Sequence, residues 1–183
     1  SGRDGPGCVE IDGDRIVSVG EDAPVDQGRI LEFPCGILLP GLIDLHAHPA
    51  ASRSVFGVEP DEAMLAHGTT TVLSQGDAGA DGIDEYVQST IAASRTRVRL
   101  AINLSRIGES TERGCLEVLS DADVDACVGA VDRLGDVIWG IAVNVSQHAC
   151  GASDPREVLR RGLAAAERTG RPILFGMRRP EDW

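Results

Sequence analysis

The chain has 183 residues, of which 42% are hydrophobic and 25% are charged, a composition typical of one soluble globular domain with a substantial core. It carries 29 acidic and 17 basic residues, and the resulting net charge of −12 repels phosphate backbones and anionic lipid. These values argue against nucleic acid and against membranes as partners.

The apolar and cysteine patterns agree with a cytoplasmic protein. The longest apolar run, Cys35 to Leu45, is interrupted by glycine, proline and aspartate, and it is too short and broken to span a bilayer. The five cysteines are scattered without a CxxC pair. Such a pattern favours reduced thiols over a disulfide framework or a thiolate zinc site, so we expect a cytoplasmic location.

Residues 1–36 differ in pattern from the rest of the chain. The segment "CVEIDGDRIVSVGED" alternates apolar and polar residues around Asp12-Gly13-Asp14, which predicts a β-hairpin. The segment "GRILEFPCG" predicts a further short strand. We therefore expect a small antiparallel β piece over residues 1–36.

Residues 37–183 alternate short apolar strands with helical segments, at the spacing of roughly 30–40 residues that is typical of βαβ units. Such units form a parallel sheet, which is either an open doubly wound sheet or a closed barrel. The open sheet is disfavoured because no glycine fingerprint follows the first strand. The predicted strands are Ile37–Leu45, Thr69–Ser74, Val98–Leu104, Val137–Val145 and Pro172–Phe175, and the predicted helices are Pro60–His67, Ile83–Ser94, Asp121–Leu134 and Pro155–Thr169.

The predicted fold class is therefore α/β, of the (β/α)8 TIM-barrel type, with about five β-α units present. A complete barrel needs about 250 residues, so these units account for only part of one. Five barrel strands expose two parallel edges, which are an aggregation hazard unless they are covered. We therefore expect either a missing C-terminal half or a homo-oligomer or other partner that completes the sheet.

Two of the four histidines, His46 and His48, end the first predicted barrel strand. Residues i and i+2 of a strand point to the same face, so their imidazoles project together. Two such imidazoles can share a divalent ion such as zinc, and the carboxyl ends of barrel strands are where barrel enzymes keep their chemistry. The pattern predicts a metal site at His46 and His48.

The segment "PGLIDLHAH" resembles the signature that ends the first barrel strand in the amidohydrolase superfamily. The chain is also similar to its dihydroorotase-like amidohydrolase/deacetylase branch in "HGTTTVLSQGDAGADG", "RTRVRLAINLSRIG", "VIWGIAVNVS" and "GRPILFGMR". The resemblance covers nearly the whole chain but only the first half of such an enzyme. It implies a (β/α)8 barrel, commonly with a small β-sandwich.

The resemblance also implies an activity. Members of this superfamily are metal-dependent hydrolases, and the implied substrate is a small molecule with an amide, cyclic amide or related C–N bond, attacked by metal-activated water. The implied cofactor is zinc or a similar divalent ion. The aspartate that moves the proton is expected after the eighth strand, beyond Trp183.

The chain departs from the family pattern at two ligand positions. Ala142 stands where the branch usually has a bridging lysine, and Gly176 stands where the fifth strand usually ends in histidine. Three interpretations stay open: a mononuclear site with further ligands beyond Trp183, a shifted alignment, or a degenerate barrel that acts as a scaffold or binding protein.

Other polar residues lie near the predicted barrel mouth. Asn144, Arg106 and His148 are candidate substrate-binding residues. The alternatives are a contact with a local backbone group for Asn144, pairing within the scaffold for Arg106 and an ordinary surface position for His148. Asp77, in the loop after the second strand, either orients substrate or serves the turn. His67, before Gly68, is interpreted as structural because an imidazole is favourable at a helix C-terminus.

Overall fold

The computed structural model describes residues 5–21, 28–50, 56–109 and 113–177. The chain divides into two compact units, Ser1–Leu38 and Leu39–Trp183. None of the helices in the described ranges is long and apolar enough to cross a membrane.

The first unit contains a β-hairpin. Strand β1 (Cys8–Asp12) pairs antiparallel with β2 (Arg15–Gly20), and Asp12 is opposite Arg15. The two-residue turn between them begins at Gly13, whose φ of 60° is a conformation that favours glycine. The further strand predicted for "GRILEFPCG" is wrong, because residues 28–36 form no strand and a turn closes between Phe33 and Gly36.

The second unit is built on a five-stranded parallel sheet. The strands lie side by side in chain order, which a doubly wound sheet with its reversal of strand order would not show. The sheet is therefore one half of a (β/α)8 barrel. Its strands are β3 (Leu42–Ala47), β4 (Thr69–Gln75), β5 (Arg97–Asn103), β6 (Ile138–Asn144) and β7 (Ile173–Gly176).

The helices connect successive strands, and the two longest have clear start signals. The Asp123 side chain accepts a hydrogen bond from the backbone N–H of Ala126 at the start of α3. Asp154 caps α5 in the same way, with Pro155 at its first position and Gly170 ending it in a left-handed conformation. The α-helices are α1 (Pro60–Ala63), α2 (Ile83–Tyr86), α3 (Val124–Leu134), α4 (Gln147–Cys150) and α5 (Pro155–Thr169).

Two predicted helices are less regular than their periodicity suggested. The segment Pro60–His67 is split, because α1 is followed by a separate 3-10 turn, Leu65–His67. The segment Ile83–Ser94 begins with α2 and continues as a π-helical turn, Val87–Ile91.

The two faces of the parallel sheet bury different apolar clusters. The helix-covered face forms the main core, in which Leu100, Ile141 and Val143 are fully buried. At Gly162 of α5 an added Cβ would lie 2.6 Å from a methyl group of Val143, so helix and sheet approach closely there. Alternate strand positions point to the other face, the barrel interior. A smaller cluster lies there, formed by Leu73, Ala101, Ala142 and Leu174.

Candidate metal centre at the carboxyl end of β3

The two histidines of the "HAH" segment lie next to each other at the end of β3. His46 is within the strand and His48 follows it, and their ring centroids are 6.0 Å apart with an interplanar angle of 68°. The Asp44 carboxylate accepts a hydrogen bond from the backbone N–H of His46 at 2.9 Å. The predicted pairing of the two imidazoles is therefore present in the structure.

A buried carboxylate holds the His48 ring. Nδ1 of His48 lies 2.7 Å from Oδ1 of Asp77, which is only 2% exposed. The other oxygen of Asp77 accepts a 2.6 Å hydrogen bond from the Ser74 hydroxyl. The hydrogen bond with Asp77 raises the pKa of His48 above its usual value, although partial burial works in the opposite direction. When the carboxylate accepts this hydrogen bond, Nδ1 carries the proton and Nε2 is left for another partner.

Strand pairing explains why these side chains meet. Ala47 of β3 is paired with Ser74 of β4, so the carboxyl ends of the two strands lie side by side. The chain then turns at Gly76, where φ is 78°, and Asp77 follows immediately. Sequence patterns classified Asp77 as a turn or substrate residue, and its contact with His48 was not anticipated.

Glu109 is a second buried carboxyl near the histidines. It is 9% exposed, and the Cys115 thiol donates to its Oε1 at 3.4 Å. Burial raises the pKa of Glu109, while the hydrogen bond from Cys115 and the charges of His48 and His148 lower it. Glu109 was not among the residues predicted from the sequence, although its place in the loop after β5, at the carboxyl edge of the sheet, is a signal that could have identified it.

The predicted rim histidine lies on the same side as the pair. His148 is an exposed residue of α4, and its ring centroid is 6.1 Å from that of Phe56. Phe56 is in turn 5.6 Å from His48, so an aromatic ring that the sequence did not highlight lies between the two imidazoles.

The other two predicted substrate-binding residues make local contacts. Oδ1 of Asn144 accepts a hydrogen bond from the backbone N–H of Ser146 at 3.0 Å. The Arg106 guanidinium binds both carboxylate oxygens of Asp81, at 2.7 and 2.8 Å. These contacts are those that the structural alternative expects, and a role in substrate binding stays a prediction for both residues.

The fit of this site to a metal ion is partial. His46 and His48 offer two imidazole nitrogens on one strand end, the donor type that zinc prefers. Ala142 lies in the interior apolar cluster and supplies no ligand, and neither does Gly176 at the end of β7. No group of three His, Cys, Asp or Glu side chains suited to a metal occurs in the described part of the chain.

Known proteins similar to this chain include several hydrolytic enzymes. Deacetylase Atu3266 of Agrobacterium fabrum is 29% identical over 149 residues, which cover 79% of this chain and 36% of that protein. Adenine deaminase 2 of Rhizobium etli is 34% identical over 146 residues, which cover 78% of this chain and 24% of that protein. No protein-family profile matches the chain.

Solved structures agree with these relatives. A dihydroorotase superposes with a TM-score of 0.82 at 26% identity, covering 95% of this chain and 47% of the other. An adenine deaminase gives a TM-score of 0.84 at 23% identity, covering 93% and 46%, and this similarity concerns the fold. The chain thus spans less than half of the length of each of these relatives.

The comparisons confirm the predicted fold class, a parallel α/β half-barrel of the TIM type. They also confirm the resemblance on which the functional expectation was based, since the similar proteins are deacetylases, adenine deaminases and a dihydroorotase. The proteins to which this chain is similar are all of the amidohydrolase superfamily.

Proposed function

We propose that the protein containing this chain is a metal-dependent hydrolase acting on a C–N bond of a small amide, cyclic amide or related compound. The deacetylase and deaminase names of the relatives support the bond type. The observation that carries the proposal is the pair of imidazoles at the end of β3, one of them oriented by a buried carboxylate. Such an arrangement is typical of metal-ligating histidine.

Each residue of the site has a proposed role. A divalent ion such as zinc, when bound, acts as a Lewis acid and activates water. His46 and His48 supply two nitrogen ligands, and Asp77 keeps the proton of His48 on Nδ1. A catalytic zinc site usually has three protein ligands, so we expect at least one further ligand from outside the described residues. Glu109 places a buried carboxyl near the histidines, and burial raises its pKa above the usual value.

A non-catalytic scaffold or binding protein is the second candidate. The observation that favours it is the methyl group of Ala142 in the barrel interior, at the position where the family usually has a bridging lysine. A two-metal site of the usual form has no bridging ligand there. The hydrolase that we propose therefore has a mononuclear site.

Hydrolysis assays on the full-length gene product distinguish the two candidates. We expect at least one member of a panel of N-acetylated amino acids, cyclic amides and aminopurines to be hydrolysed, and the activity to be lost in chelator and restored by zinc. His48→Ala should abolish this turnover, whereas His67→Ala, at an exposed histidine of a 3-10 turn, should retain it. Turnover that is insensitive to chelator, or no turnover of any panel member by the zinc-loaded protein, would contradict the proposal.

A further inference from the structure

We propose that Asp77 is a positioning residue that fixes the orientation and tautomer of His48, so that Nε2 of this imidazole is presented for metal binding. The inference rests on the proposed function, because it takes His48 as a metal ligand. It concerns a residue that does not itself bind the metal.

The backbone around Asp77 is held in place from β5 and from the loop that follows it. The Asn103 side chain donates to the carbonyl oxygen of Gly76 at 3.0 Å, and the backbone N–H of Asn103 donates to Ala78 at 2.9 Å. The backbone N–H of Glu109 also donates to Gly76, at 3.0 Å. Asp77 therefore lies between Gly76 and Ala78, whose carbonyl oxygens both accept hydrogen bonds from Asn103 of β5.

The Asp77 carboxylate has a fixed direction as well. One oxygen accepts from Ser74 and the other lies 2.7 Å from His48, so both ends of the carboxylate are engaged. The Tyr86 side chain, 1% exposed, lies beside Ser74 and Asp77, although its hydroxyl makes no well-formed hydrogen bond within the described residues. A carboxylate buried among these groups has little freedom to turn away from the imidazole.

This geometry determines the tautomer of His48. Because the carboxylate accepts a hydrogen bond from Nδ1, the neutral ring carries its proton on Nδ1 and its lone pair on Nε2. A carboxylate in this position fixes the ligating nitrogen and makes it more basic, and losing such a partner typically lowers metal affinity about 10–100-fold.

The two histidines differ in whether a carboxylate contacts the imidazole ring. The Asp44 carboxylate contacts the backbone N–H of His46, whereas the Asp77 carboxylate contacts the ring of His48. His48 is thus the imidazole that is oriented before the metal arrives. Of the two histidine rings, substitution of Asp77 should therefore affect that of His48.

Zinc affinity of the full-length gene product, measured by competition with a chromophoric chelator, tests the role of Asp77. Asp77→Ala should weaken zinc binding about 10–100-fold. Asp77→Asn should retain most of the affinity, because its amide oxygen still accepts from Nδ1 and its amide nitrogen can donate to Ser74. Asp125→Asn, which removes an exposed carboxylate paired with Arg168, is the matched control and should bind zinc like the wild type.

The nitrogen NMR spectrum of the imidazoles in the metal-free protein, recorded at a pH where they are neutral, is the second readout. The wild type should show the His48 proton on Nδ1, and Asp77→Ala should shift it towards Nε2. A His48 proton on Nε2 in the wild type, or unchanged zinc affinity in folded Asp77→Ala, would overturn the inference. Absence of zinc binding by the wild type would overturn the proposed function, while the nitrogen spectrum would still decide whether Asp77 fixes the ring.

Discussion

Nδ1 of His48 lies 2.7 Å from Oδ1 of Asp77, a buried residue 29 positions further along the chain. The contact joins the ends of two neighbouring parallel strands. It places a histidine that we propose as a metal ligand against a carboxylate, the kind of partner that commonly orients such histidines. It links the fold to the proposed chemistry, because the pairing of β3 with β4 brings the two residues together.

The close approach of α5 to β6 makes Gly162 sensitive to substitution. An added Cβ would lie 2.6 Å from a methyl group of Val143, so Gly162→Ala should force helix and strand apart. Such overpacking costs about 1–3 kcal/mol of unfolding free energy, against a gain of about 0.5–1 kcal/mol from better helix propensity, and the 2.6 Å approach favours the larger costs. Urea unfolding should therefore show a net loss of stability.

Gly129, within α3, is the matched control because an added Cβ there meets no atom within 4 Å. Gly129→Ala should stabilise the protein by about 0.5–1 kcal/mol through helix propensity alone. Equal effects of the two substitutions would contradict the packing of α5 described above.

Asp61 connects α1 to the segment before β5 and makes stability depend on pH. Its carboxylate accepts from the backbone N–H groups of Arg95 and Thr96, at 3.0 and 2.8 Å, and from the Thr96 hydroxyl at 2.8 Å. These hydrogen bonds lower the pKa of Asp61 below its usual 3.8, and the two from the backbone N–H groups of Arg95 and Thr96 contribute most. The stabilisation is therefore present above pH 3.8 and is lost as the pH falls through the lower folded-state pKa.

Asp61→Asn should accordingly unfold at lower urea concentration than the wild type at pH 7, and the difference should shrink as the pH falls below 3.8. Glu62→Gln, which alters an exposed carboxylate of the same helix, should leave the urea midpoint nearly unchanged at both pH values. A difference between Asp61→Asn and wild type that grows on acidification would contradict the assigned hydrogen bonds.

The exposed edge strand predicts self-association of the 183-residue chain. Strand β3 pairs with β4 and with no other strand in the described ranges, and its Leu42, Ile43 and Leu45 are 56%, 64% and 65% exposed. Such an edge pairs readily with other chains. Light scattering should show association that increases with concentration and decreases in Ile43→Lys.

Leu163→Lys is the control for this experiment, since Leu163 is 55% exposed but lies on α5, where backbone groups are already paired. It should reduce association less than Ile43→Lys does. A cooperatively folding monomer of the 183-residue chain at all concentrations would contradict the prediction.

Local sequence pattern predicted most of the fold. The runs around Leu73, Leu100 and Ile141 are apolar on both faces, as buried parallel strands require, and each lies within an observed strand. The helix Pro155–Thr169 was predicted at both ends because Asp154, Pro155 and Gly170 are local start and stop signals. Such signals act over a few residues, and a sequence displays them directly.

Other features depend on contacts between distant residues. The short strand expected after Gly28 is absent, and the Phe33–Gly36 turn replaces it. Of the site, His46 and His48 were predictable because two residues of one strand share a face. Asp77 and Glu109 each follow a predicted strand, which the sequence displays. Their burial near His48 was not predictable, because it depends on strand pairing and on loops that no local pattern specifies.

The zinc content of the full-length gene product, purified after growth in zinc-replete medium, tests the central claim most directly. We expect a stoichiometric ion in the wild type and in His67→Ala, and its loss in both His46→Ala and His48→Ala, with all four proteins folded by circular dichroism. A folded wild type without bound metal, or metal retained in both His46→Ala and His48→Ala, would contradict the assignment of these two histidines as ligands.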